Sequence, residues 1–150
     1  MTRVPRPALY LGLAGLLPFI WGVATLLLPP LADATHSLIG ARFAGHSGLV
    51  SYGVVILCFM SGVLWGFVAR GRPNSWTGYA LSVGPALWAF FFVGGSVTQS
   101  LNALITGFVV LLVIDFQFSL WGLTPRWWMT LRVILTAGVV ACLALGLWLG

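Results

Sequence analysis

SLNALITGFVVLLVIDFQFSLWGLTPRWWMTLR, residues 100–132, holds an apolar run, a turn and the start of a second apolar run. Its first part, residues 100–121, matches the roughly 20 residues needed to cross about 30 Å of hydrocarbon as a helix. In lipid the backbone must satisfy its own donors and acceptors, which leaves helices and closed barrels. No short alternating segments of the barrel kind occur, so the stretch reads as a helical hairpin with its turn at Gly122. Asp115 is the only acidic residue within it, and the only one inside any long apolar run of the chain.

Outward from this hairpin the same pattern repeats. The 150 residues are 60% hydrophobic and 6% charged, against roughly 25% charged in soluble domains. Five runs are long enough to span, at residues 8–28, 49–69, 76–94, 100–121 and 125–149. The expectation is a single all-α transmembrane domain, a bundle of five membrane helices. Pro29 and Pro30 should stop the first helix, and Gly94-Gly95-Ser96 should break the third from the fourth. Ser75 is placed to cap the third, and Thr124-Pro125 reads as a cap followed by proline at the first helical position of the fifth. The N-terminus imitates a secretory signal, with Arg3 and Arg6 before an apolar run and Ala32-Asp33-Ala34 after it. That run is longer than a signal core of roughly 7–15 residues, so it is read as a spanning helix.

Charge placement sets the orientation. With the N-terminus cytoplasmic, Arg3, Arg6, Arg70, Arg72, Arg126 and Arg132 fall on or near the cytoplasmic side and only Arg42 lies outside, a positive-inside bias that places the C-terminus outside after five crossings. The only long loop, residues 29–48, is external, and residues 35–43 are expected to form a short interfacial helix.

The same residues exclude several classes. No basic stripe suits nucleic acid. Cys58 and Cys142 sit in apolar runs, so neither a disulfide framework nor a metal motif is expected. His36, His46 and Asp33 lack convincing zinc spacing, and no histidine lies inside an expected membrane helix to hold a haem. Ser51, Ser61 and Ser82 have no histidine at membrane depth to activate them, so no enzyme and no cofactor are expected.

Small residues mark expected packing faces: Gly62 and Gly66 in the second helix, and Gly138, Cys142 and Gly146 in the fifth, which let helices approach one another or another protein. Pro18 and Pro85 should kink the first and third helices, each freeing a backbone group for a neighbouring Ser or water. Trp76, Tyr79, Trp121, Trp127 and Trp128 suit an interfacial belt. Trp65 and Trp88 suit packing, or a groove for a lipid or a quinone tail.

An ionisable residue in a membrane helix asks for a named partner. Asp115 lies seven residues before Gly122 and Arg132 seven after Pro125, so both sit about 10 Å deep in an antiparallel hairpin and can meet. The expected role is an ion pair stapling two helices; the alternative is a proton or cation relay through Asp115.

Four segments, LGLAGLLPF (11–19), YGVVILCFMSGVLWG (52–66), SVGPAL (82–87) and PRWWMTLRVILT (125–136), together with Asp115, resemble a family of small bacterial inner-membrane proteins of unknown function. Its eukaryotic relatives are mitochondrial and are usually called transmembrane protein sixty-nine. Leu64 and Ser61 depart from the family pattern, which has a His and a Gly there. The resemblance implies an energy-transducing membrane and, from compartment alone, association with respiratory complexes. The expected function is a non-catalytic accessory subunit or assembly factor with membrane-protein partners. A small transporter or channel using Asp115 and a lipid- or quinone-binding membrane protein are the alternatives.

Overall fold

The computed structural model describes residues 3–150, and these contain helices and turns with no strand. The first apolar run folds as two helices, α1 (Arg6–Ala14) and α2 (Leu17–Leu27). Pro18 does not kink a continuous helix; it sits in the first turn of α2, where its missing N–H breaks no ladder bond. Pro29 and Pro30 end α2 and also open α3 (Pro29–Leu38). A single 3-10 turn at Ala41–Phe43 follows, so the long loop of residues 29–48 is more helical than residues 35–43 alone. α4 (Gly45–Gly71) begins earlier than expected because Gly45, at φ 59°, takes the turn the chain needs to enter it. The Gly45 N–H donates to Thr25 Oγ1 at 2.7 Å, tying that turn to α2.

Three more helices complete the chain: α5 (Trp76–Phe92), α6 (Val97–Leu120) and α7 (Trp128–Trp148). Ser75 caps α5 by accepting from the Gly78 N–H at 3.0 Å, and Ser96 caps α6 by accepting from Gln99 at 3.1 Å. The expected Thr124-Pro125 start of the fifth run is not made. Residues 125–128 form a turn, and α7 begins at Trp128 with no side-chain cap.

Four segments among the described residues are long and apolar enough to cross a membrane: Arg6–Leu27, Gly45–Gly71, Val97–Leu120 and Trp128–Trp148. α5 is shorter, at 17 residues. α4 packs antiparallel to α2 and to α5, and α6 antiparallel to α5 and to α7. Position pairs record these directions: Gly22 meets Leu49, Gly78 meets Val68, Gly107 meets Trp88, and Asp115 meets Arg132. Central among them is α6, whose Leu101, Leu104, Phe108, Leu111 and Phe118 are fully buried against Phe19, Leu57 and Leu64 of α2 and α4.

Pro85 stands inside α5 and interrupts its ladder. The Ala86 N–H beside it donates instead to Ser61 Oγ of α4 at 2.9 Å. Both groups are shielded, so each would be costly alone. Ser61→Ala should therefore lower unfolding stability in detergent by about 1 kcal/mol, and Pro85→Ala, which lets the helix bond itself, should shrink that loss. Equal losses in both backgrounds would show that Ser61 does not serve the proline break.

Candidate functional site: a buried ion pair

α6 and α7 run antiparallel through the turn at Gly122, whose φ of 73° suits glycine. Asp115 lies five residues before the end of α6 and Arg132 four residues into α7, so the two arrive at the same level. Arg132 Nε donates to Asp115 Oδ2 at 2.8 Å. Asp115 is fully buried and Arg132 is 4% exposed. The second carboxylate oxygen is also taken, since Trp128 Nε1 donates to Oδ1 at 2.9 Å. Phe67 of α4 meets the Trp128 ring edge-on at 5.1 Å, which holds the indole against the acid.

The arrangement neutralises a carboxylate in place. Desolvating two charges costs several kcal/mol each, and contact plus further hydrogen bonds must offset it. Asp115 receives both a charged and a neutral donor. Arg132 uses only Nε; its Nη2 is buried without a protein partner, as are Thr136 Oγ1 one turn along α7 and Thr124 Oγ1 in the turn. Each carboxylate oxygen of Asp115 thus has one donor from the same hairpin.

The other sequence-derived positions separate. A Cβ at Gly138 would come within 2.8 Å of Leu16, and one at Gly146 within 2.5 Å of Leu49, so these two glycines admit leucines of α4 and of the segment before α2. Cys142 between them is half-buried at the edge of the core. Gly62 and Gly66 are different: a Cβ at either meets nothing within 4 Å, because α4 turns its leucines inward and leaves these two glycines outside. The packing within the bundle that their spacing allows is not made.

Trp65 and Trp88 do not line one groove. Trp65 packs on Tyr79 with ring centres 4.5 Å apart near the start of α5, whereas Trp88 lies nine residues further along that helix, about 14 Å away in rise. Trp88 donates from Nε1 to the Ala103 carbonyl at 2.7 Å and packs on Phe92 at 4.2 Å. His46 lies in the first turn of α4 and joins its Nε2 to the Gly146 carbonyl of α7 at 2.8 Å; His36 is exposed on α3. The sequence reading assigned Trp128 to an interfacial belt and missed its bond to Asp115. Its spacing of four residues before Arg132, one turn on the same helix face, was the available signal.

Residues 4–148 match the family described as "Protein of unknown function (DUF3429)". The chain belongs to this family. Two curated relatives carry the name "Transmembrane protein 69": one from Xenopus tropicalis is 36% identical over 146 residues, covering 93% of this chain and 53% of the relative. The other, from Mus musculus, is 31% identical over 139 residues, covering 88% and 51%. This DUF3429 chain thus spans about half the length of the curated relatives it matches. No solved structure matches it. It is a helical membrane protein of a family whose function is unknown.

For this DUF3429 protein, Asp115→Asn and Arg132→Gln should each destabilise the bundle by about 3–5 kcal/mol, because each strands its partner. Trp128→Phe, which removes one hydrogen bond and keeps a ring against Phe67, should cost about 1 kcal/mol. Unfolding in mixed micelles measures all three; a Trp128→Phe loss as large as that of Asp115→Asn would mean the indole, not the guanidinium, holds the acid.

Proposed function

We propose that this protein is a non-catalytic, five-crossing component of the bacterial inner membrane that binds a larger membrane complex as an accessory subunit or assembly factor. One observation carries the reading. Val55, Cys58, Phe59, Gly62, Trp65, Gly66 and Ala69 are exposed on one side of α4, and the two glycines leave open space between larger neighbours. Helices associate in lipid by close packing at small residues, and this face is free of the packing that fills Gly138 and Gly146.

Supporting the five crossings, α5 at 17 residues is at the short limit of a spanning helix, and it runs antiparallel to both α4 and α6. Arg6, Arg70, Arg72 and Arg126 gather at one end of the bundle, where Arg72 Nη2 reaches the Trp121 carbonyl at 3.5 Å. Arg42 lies at the opposite end. A positive-inside arrangement then puts the N-terminus in the cytoplasm and Gly150 outside. An accessory role also agrees with the internal use of Asp115, whose two oxygens are occupied by residues of the same hairpin.

Purification from native membranes in mild detergent tests the reading. The parent should migrate with a different membrane subunit, and Gly62→Leu combined with Gly66→Leu should release that subunit while leaving the thermal midpoint of the isolated chain unchanged. A parent that is alone or bound only to its own copies contradicts the proposal, as does a double variant that keeps the subunit in full.

A further inference from the structure

At the end of the bundle away from the ion pair, an open cavity of about 580 Å³ lies between α2, the 3-10 turn and α4. This lies within the roughly 300–1,000 Å³ of small-molecule sites. Leu17, Pro18 and Trp21 form one wall, Val55 and Tyr52 the other, and Ile39 with Phe43 the rim. The walls are held by the core: Phe19 meets Tyr52 at 4.9 Å, and Gly48 lets the Phe43 backbone close on α4, since a Cβ there would fall 2.9 Å from the Phe43 oxygen.

Arg42 stands at the rim, over the Phe43 ring at 4.9 Å. Among the described residues it has no carboxylate partner, the one ion pair being Arg132 with Asp115. Length adds a second constraint. Val55 lies ten residues below the start of α4 and Leu17 ten residues below the end of α2, so the groove runs about 15 Å inward from the level of Arg42. That is half of a hydrocarbon core of about 30 Å, the depth of a single leaflet.

We propose that this groove seats one anionic phospholipid, with an acyl chain between Pro18, Trp21 and Val55 and the headgroup phosphate on Arg42. An unpaired guanidinium at the interface recognises phosphate by charge and hydrogen bonding. The apolar walls accept a chain that stops at the bilayer midplane, which a membrane-spanning peptide would not do. The site shares no residue with the ion pair, and its only overlap with the proposed partner face of α4 is Val55, at the end of that face furthest from Gly62 and Gly66.

Native mass spectrometry of the full chain, released from nanodiscs of equimolar phosphatidylglycerol and phosphatidylcholine with matched acyl chains, tests the site. The parent should retain one lipid per chain and favour phosphatidylglycerol about fivefold, the weight of one interfacial arginine. Arg42→Gln should remove the preference, Arg42→Lys should keep most of it, and Val55→Trp should remove the retained lipid with an unchanged thermal midpoint. Equal retention of the two lipids by the parent overturns the proposal. So does a preference that survives Arg42→Gln, or a lipid that survives Val55→Trp.

Discussion

A carboxylate and a guanidinium in contact at 2.8 Å, in a part of the bundle closed to solvent, constrain how α6 and α7 can sit against each other. Neither charge tolerates separation from the other in a medium without water. Sliding α7 by one turn along α6, about 5.4 Å, would part them and also withdraw Trp128 from the second carboxylate oxygen. The hairpin therefore has one register. Because α6 is the helix against which α4, α5 and α7 all pack, that register propagates to the bundle.

Away from the pair, glycines and leucines set the distances. Leu49 fits against both Gly22 and Gly146, Leu16 against Gly138, and Leu104 against Gly53. In lipid, burying a leucine against another helix gains no hydrophobic transfer energy, so this fit acts through contact at short range. Polar groups released by irregular backbone find partners across helices: Ser61 takes the Ala86 N–H beside Pro85, and Thr25 takes that of Gly45. Two surfaces remain unfilled by the chain itself, the glycine face of α4 and the groove below Arg42. We assign them to partners of different kinds, one to protein and one to lipid.

The helical class and the positions of the apolar segments were legible because lipid allows few backbone solutions. The meeting of Asp115 and Arg132 was legible too, since equal distances from one turn give equal depth in a hairpin. That held even though α7 starts at Trp128 rather than Pro125, because Asp115 lies five residues before the end of α6 and Arg132 four residues after the start of α7. The bond from Trp128 was hidden by a second good explanation, the interfacial preference of tryptophan. Which residue of α4 faces Pro85, and which side Gly62 and Gly66 take, depend on the rotation of α4 in the bundle. A four-residue spacing of glycines states that close approach is possible, and says nothing of where the neighbour is.

The most direct measurement is a double-mutant cycle on Asp115→Asn and Arg132→Gln, read as unfolding free energy of the full chain in mixed micelles. A staple predicts that the double variant loses less than the sum of the two single losses, by about 1–3 kcal/mol. Additive losses would mean that the two charges do not stabilise one another, and that the register of α6 and α7 is held by something else.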